Sequence, residues 1–375
     1  MIVSKANQAT LLAVLQSVAG IVERRQTMPI LANVMLRKND AHLQLTTSDL
    51  EIQIRTQAQL GGDDGEFSAT VGAKKLIDIL RTLPADQIVS LETGPGKLIV
   101  KAGKSRFSLL TLPAEDFPVV QESPTFGPVF AIPEKTLKAL FRQVSFAMAV
   151  QDIRYYLNGL LLVAEGKHLS IVATDGHRLA YASAELEVQV PKQEVILPRK
   201  TVLELERLLG GGTSKEGEAV AMIELQFANN QAKFKFGGIE LVSKLVEGKF
   251  PDYNRVIPKN HKYAITLGRA ALLATFQRTA ILTSDKFKGV RLNFEPTALR
   301  VACSNAEQEE AIDELEIDYT GEAIEIGFNV SYLIDVLTNM DQDMVQLELS
   351  DGNSSALMTI PGNDQFKYVV MPMRI

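Results

Sequence analysis

One pattern occurs three times along this chain, and any fold proposed for it has to accommodate the triplication. The segment Gln8–Val18 aligns with Glu134–Val144 and again with Arg269–Thr279. Each places apolar side chains at helical spacing: Leu11, Leu12 and Leu15; Leu137, Leu140 and Phe141; Leu272, Leu273 and Phe276. A second helical pattern follows in each copy, over Lys75–Leu80, Thr201–Glu206 and Ser331–Val336. It is entered from a short apolar strand, Phe67–Val71, Val195–Pro198 and Ile324–Phe328. Between the two helices lies a strand and turn: Leu45–Asp49, Ile171–Asp175 and Val301–Asn305. Each copy closes on a further strand, Ser108–Pro113, Val242–Val246 and Tyr368–Pro372. The copies are offset by about 126–135 residues, too long for a solenoid repeat and right for a tandem domain.

The pattern predicts an α+β fold, in which each repeat lays two helices on one face of a largely antiparallel sheet. Linker-like stretches at Gln121–Pro128 and Ile257–His261 set expected boundaries at 1–125, 126–257 and 258–375. A length of 375 residues, 46% hydrophobic and 22% charged, supplies cores for two or three domains.

Several function classes lose ground on composition. Cys303 is the only cysteine, so no intrachain disulfide and no cysteine metal cluster can form. Its apolar strand setting predicts an inert buried thiol. The apolar stretch Ala9–Val22 is broken by Gln16 and Ser17 and recurs later in the chain, so it reads as a helix rather than a leader. No run of 18 apolar residues occurs, so no membrane span is expected, and the lone cysteine fits a reducing cytoplasm. Asp175 and His177 could form an acid–base dyad, but no nucleophile elbow accompanies them. The four histidines, His42, His168, His177 and His261, lack ligand spacing. Gly103-Lys104-Ser105 fails as a phosphate loop, because Leu98 stands where the leading glycine belongs. No cofactor or metal is expected.

Charge is unevenly placed. The expected helices at 8–22, 74–83, 134–146, 199–209, 269–281 and 331–340 hold eleven Lys and Arg against five acidic residues. They are therefore +6 in a chain of net −6, which leaves −12 elsewhere. Lys138 and Arg142 are i,i+4 neighbours, while Lys74 and Arg81, like Lys200 and Arg207, are two turns apart. One basic helix would be a solvated face. Four in a tandem repeat point to a shared surface for a polyanion, read through phosphates and indifferent to base sequence.

Six runs carry a family resemblance: Gln151–Gly159 (QDIRYYLNG), Val172–Ala180 (VATDGHRLA), Ser243–Tyr253 (SKLVEGKFPDY), Val370–Arg374 (VMPMR), Gly103–Ser108 (GKSRFS) and Glu325–Tyr332 (EIGFNVSY). Together they resemble the bacterial DNA polymerase III beta subunits, the DNA sliding clamps. The resemblance implies a non-enzymatic processivity factor: a head-to-tail homodimer of three-domain protomers closing a six-domain ring around duplex DNA. Twelve helices about 8–10 Å apart describe a circle roughly 34 Å across their axes. Removing one helix thickness of about 10–12 Å leaves a duplex-sized hole.

By the same resemblance, Arg25, Lys74, Gln151, Tyr155, Tyr156 and Lys200 face DNA. For the two tyrosines, packing at a domain hinge stays open beside DNA contact. Lys104, Arg106, Phe107 and Leu109 form one end of the protomer; Ile281, Leu282, Glu307, Glu309 and Asp313 form the end that meets it. A partner-peptide pocket falls on Arg154, Leu157, Thr174, His177, Arg178, Leu179, Pro251, Arg255, Val256, Tyr332, Ser355, Val369, Met371, Pro372, Met373 and Arg374. For Val256 and Val369 a plain core role is the competing reading. The implied partners are DNA polymerase III core, a clamp loader, and other polymerases and repair proteins carrying clamp-binding motifs. Val150 and Asn353 depart from the polar and apolar residues expected at those positions. Two rivals stay in view: an enzyme built on Asp175 and His177, and a tandem-domain scaffold that ignores nucleic acid.

Overall fold

The computed structural model describes residues 1–23, 28–210, 219–284 and 288–375. Six α-helices appear among them, two per repeat: α1 Gln8–Val18, α2 Ala73–Arg81, α3 Glu134–Val144, α4 Arg199–Leu208, α5 Arg269–Ala280 and α6 Val330–Thr338. Their inward faces are the repeated apolar positions. Leu11, Leu15 and Val18 are buried on α1, Leu137, Leu140 and Phe141 on α3, and Leu272 and Phe276 on α5. Asparagines start two of the helices. The Asn7 side chain accepts from the Thr10 N–H at 2.8 Å, and Asn329 accepts from the Ser331 N–H at 2.9 Å. α1 stops at Val18, four residues short of expectation, and tightens into a 3₁₀ turn at Ala19–Ile21. Gly20 falls in this turn, where a helix C-terminus is easily unwound. No described helix is long and apolar enough to cross a membrane.

The chain divides into two compact units, Met1–Lys135 with Arg207–Leu245, and Thr136–Glu206 with Val246–Ile375. In the first unit, α1 packs on α2 beside a 12-stranded sheet. That sheet runs from the first repeat into the second without a break, because Ile52–Ala58 pairs antiparallel with Ile239–Lys244, Ile54 opposite Leu241. In the second unit, α5 packs on α6, with a six-stranded and a four-stranded sheet. The six-stranded sheet joins the second and third repeats: Arg178–Pro198 pairs antiparallel with Asn363–Val370, Leu179 opposite Val369. The second repeat is thus shared between the units, since its closing strand enters one sheet and its long hairpin, Gly159–Thr174 with Arg178–Pro198, enters the other.

Ser105–Leu112 and Glu310–Glu316 are among the strands with open edges. Ser105–Leu112 pairs fully with Lys97–Ala102, but on its other side only Thr111 and Leu112 find partners. Glu310–Glu316 is the outermost strand of the four-stranded sheet. Cys303 is buried, its Sγ 3.0 Å from the Thr279 carbonyl, and burial pushes its thiol pKa up, as an inert core cysteine requires.

Candidate functional site

The tight turn of the long hairpin is the most heavily bonded corner of the second unit. Thr174 Oγ1 donates to the Arg178 carbonyl at 2.6 Å and accepts from the Gly176 N–H at 3.1 Å. Asp175 Oδ1 accepts from the N–H groups of His177 and Arg178, at 2.9 and 3.1 Å, while its Oδ2 accepts from Arg178 Nε at 3.1 Å. The carboxylate that could have served a catalytic dyad is therefore committed to shaping the turn. Gly176 sits at φ +91, where a side chain would be strained, and a Cβ there would lie 2.9 Å from Arg154 Nη1. The glycine lets the Arg154 guanidinium lie across the turn and donate to the Asp175 carbonyl at 3.2 Å.

Arg178 is the hub. Only 10% of its side chain is exposed. Nη1 donates to Asp335 at 2.6 Å and Nη2 to the Phe146 carbonyl at 2.8 Å, and the guanidinium stacks 4.4 Å from the Tyr332 ring centre. Burial works to lower the guanidinium pKa, but neighbouring Tyr368, the Asp335 bond and Asp175 more than reverse it, so Arg178 stays charged. Tyr368 is fully buried and donates to the Tyr332 carbonyl at 2.9 Å, and burial drives its phenol pKa well above the ordinary value. Losing one member of a buried charge network costs about 3–5 kcal/mol. Asp335 is 40% exposed, which trims the effect to roughly 2–4 kcal/mol. Arg178→Ala should lower the melting transition of this unit by about 5–10 °C in calorimetry, and an unchanged transition would refute the hub.

Around the hub the sixteen predicted pocket positions sort by depth. Leu157, Leu179 and Val369 are buried in one cluster with Val172, Phe250 and Leu357; they are the floor, not the wall. Thr174 is buried in the turn, and Tyr332, Ser355, Pro372 and Met373 are half-buried. Arg154, His177, Pro251, Arg255, Val256, Met371 and Arg374 are exposed. Val256, 36% exposed, is not a core residue, whereas Val369 is. The tail follows the hairpin closely, since the Met371 N–H donates to the His177 carbonyl at 2.9 Å. Asn353 is exposed in a turn whose N–H donates to Asp351 at 2.8 Å.

The loop before this corner carries three of the predicted DNA-facing residues. Gln151 is exposed at φ +54 and Tyr155 is exposed, whereas Tyr156 packs on the buried cluster, edge-on to Tyr155 at 5.9 Å. Asn158 clamps the loop by accepting from the Asp152 N–H and donating to the Asp152 carbonyl, both at 2.9 Å. Arg154 adds a bidentate pair to Asp152 at 3.0 and 2.8 Å, and these hydrogen bonds, with that from its N–H, draw the carboxyl pKa down to about 2. Lys74, on α2, lies 3.9 Å from Asp78. Lys200 is half-buried in the first turn of α4. Arg25 lies outside the described residues.

The charge count on the helices overstated the free cations. Arg269 holds the end of α6, donating to the carbonyls of Leu337 and Gln342 at 3.0 and 2.8 Å. Arg199 is half-buried and reaches the Met148 carbonyl at 3.4 Å; burial, and then Arg178, pull its pKa down. Arg142 pairs with Asp341 at 2.9 Å and Arg278 with Asp313 at 2.7 Å. Sequence spacing cannot reveal these partners.

The predicted ends are each exposed. Gly103, at φ +57, and Lys104 form the turn of a hairpin closed by Ala102 and Ser105, so no helix follows them as a phosphate loop requires. Lys104 and Arg106 are exposed and Phe107 and Leu109 half-buried along the open strand. Leu109 lines a groove of about 600 Å³ with Leu110, Leu112, Lys74, Lys75 and Val22. In the second unit Ile281 is 76% exposed at the end of α5 and Leu282 is half-buried. Asn305 organises the acidic loop by accepting from the N–H groups of Glu307 and Glu309 at 3.1 and 2.9 Å. Asp313, bound to Arg278, is already partnered within the chain. Leu110 and Ile312, both well exposed on these two open strands, escaped the sequence reading.

Known proteins match this chain along its length. Family models described as the N-terminal, central and C-terminal domains of the DNA polymerase III beta subunit match residues 4–121, 131–252 and 254–374. The beta sliding clamp of Pseudomonas putida is 47% identical over 369 residues, covering 97% of this chain and 98% of that protein. The crystal structure of the DNA polymerase III subunit beta from Pseudomonas aeruginosa is similar with a TM-score of 0.93 and 43% identity, covering 100% of both chains. A second structure from that organism, of a sliding clamp bound to griselimycin, is similar with a TM-score of 0.92 and 44% identity, again over 100% of both.

Proposed function

The chain belongs to the DNA polymerase III beta subunit family, the beta sliding clamps, and from that premise we propose how its own residues do a clamp's work. The fold is the three-domain clamp fold, and the function is that of a DNA sliding clamp. We read the domains as 1–125, 126–257 and 258–375, with strand pairs joining them besides the covalent linkers. The protein is a cytoplasmic, non-catalytic processivity subunit. Two copies close head to tail into a ring around duplex DNA, and the ring tethers the replicative polymerase, a clamp loader and repair proteins through one pocket.

Closure is supported by the two open edges. The free side of Ser105–Leu112 in one protomer can pair with Glu310–Glu316 in its partner, which removes two exposed ladders at once. The groove beside Leu109 and Leu110 accepts the exposed Ile281 and its neighbour Leu282. Lys104 and Arg106 flank the first edge and Glu307 and Glu309 the second, so the rims attract and fix orientation.

Once closed, the ring holds DNA by topology, so its contacts with phosphates can be weak and water-bridged, and it slides. Lys74, Lys200, Gln151 and Tyr155 serve this role, with Arg25 assigned by the family pattern alone. Tyr156, seated on the core, positions the loop.

The observation that carries the partner reading is the corner around Arg178. Its charged centre is fully engaged, so its shape is fixed, while Met371 and Val256 remain 43% and 36% exposed beside Arg154, Arg255 and Arg374. A rigid floor under adaptable apolar walls suits short extended peptides with apolar anchors. Griselimycin, bound by the Pseudomonas aeruginosa clamp, is assigned to the same corner here. The test of enclosure is topological. Loaded on nicked circular DNA, the protein should be retained through gel filtration and shed when the circle is cut; equal retention on linear DNA rejects the ring.

A further inference from the structure

The tail after Val370 lies over two strands of the four-stranded sheet, with Ile375 at its end 57% exposed. Met371 is tied to the hairpin through the His177 carbonyl, and the Met373 N–H donates to the Gly327 carbonyl at 2.8 Å. Pro372, between them, has no N–H to donate. Beyond these bonds the Ile375 side chain rests on two glycines of neighbouring strands, Gly289 in Gly289–Glu295 and Gly327 in Ile324–Asn329. A Cβ at Gly327 would lie 2.5 Å from the Met373 carbonyl oxygen and 2.8 Å from Ile375 Cδ1. One at Gly289 would lie 3.2 Å from the same Cδ1 and 3.7 Å from Met373 Sδ. Neither glycine has a positive φ, so the backbone would accept alanine at both; what they supply is room. Arg291 Nη2 closes the seat from the side, 3.5 Å from the Ile375 carbonyl oxygen.

We propose that Ile375, seated in the notch of Gly289 and Gly327, latches the Met371–Met373 wall of the partner pocket in its binding position. This rests on the pocket reading above and adds three positioning residues outside the pocket lining. The wall is a short strap held at both ends, by the His177 carbonyl before Pro372 and by Gly327 and the Ile375 seat after it. With the far end released, Met373 has no fixed place, and a partner must order it on binding. Glycine is needed here because the strap lies directly on the sheet, where even a methyl group lifts it.

Griselimycin titrated calorimetrically into the intact dimer tests the latch. Gly327→Ala should weaken binding about tenfold, the loss of one anchoring contact. Exchange of the Met373 amide should speed up by a similar factor, while sedimentation and melting stay as in the wild type. Gly289→Ala presses only on the flexible end of Ile375, with Met373 Sδ at ordinary contact distance, so it should cost about threefold. Ile375→Val removes the nearer contact, Cδ1 at 3.2 Å, and leaves Cγ1 at 3.3 Å, so it should restore part of that loss; general destabilisation would not be reversed this way. Wild-type affinity in Gly327→Ala, or no rescue of Gly289→Ala by Ile375→Val, overturns the latch. Removing Met371–Ile375 separates the two levels: if griselimycin then binds as before, the pocket assignment fails, whereas lost binding beside an unaffected Gly327→Ala condemns the latch alone.

Discussion

Replacing Ile281 and Leu282 together by alanine should turn the dimer into monomers at micromolar concentration. In the free protomer Ile281 is 76% exposed, so truncation costs the fold itself little. In the proposed ring both side chains would enter the groove beside Leu109, and a two-fold head-to-tail dimer would have two such seams. Truncating a buried Leu or Ile costs about 2 kcal/mol at the lower end of the range. Four side chains then remove roughly 8 kcal/mol, about six decades in dissociation constant. Sedimentation should show monomer, and retention on nicked circles should vanish while griselimycin still binds. A dimer that persists would reject this seam.

Deleting Met371–Ile375 should abolish stimulation of the polymerase while leaving the dimer and its retention on circular DNA unchanged. The six-stranded sheet is complete at Val370, so the deletion takes no strand residue. It removes Met371 and Met373, the proposed apolar wall, and Arg374, a cation at its proposed rim, and leaves the buried Leu157, Leu179 and Val369 cluster in place. Peptide anchors that lose one side of their cleft lose most of their buried area, and binding energy concentrates in such anchors. Primer extension on a singly primed circle is the measurement. A truncated protein that stimulates as well as the full chain would falsify the pocket.

Much of this was legible in the chain because the repeats are amphipathic and local. All six helices fall where the apolar spacing puts them; α1 alone stops well short, where Gly20 favours an early end. The sheets were less legible. Ile54 pairs with Leu241 and Leu179 with Val369, and nothing local marks partners so far apart. The turn at Thr174–Arg178 declared itself, but the residues that make Arg178 a hub, Phe146, Asp335 and Tyr368, come from three other segments. Leu157, Leu179 and Val369 were grouped with exposed neighbours because a family pattern carries no depth. Counting charges likewise could not tell a solvated lysine from Arg269, which spends its guanidinium on the end of a helix.

The ladder between Ile52–Ala58 and Ile239–Lys244 has a mechanical consequence. Tension directed along paired strands loads their hydrogen bonds together, so the seam resists as a row rather than unzipping rung by rung. The covalent linker near Gln121–Pro128 then bears little of the load. In the proposed ring, force applied to the first repeat would meet a continuous girder, and the joint that yields would be the one between protomers, which no covalent chain crosses.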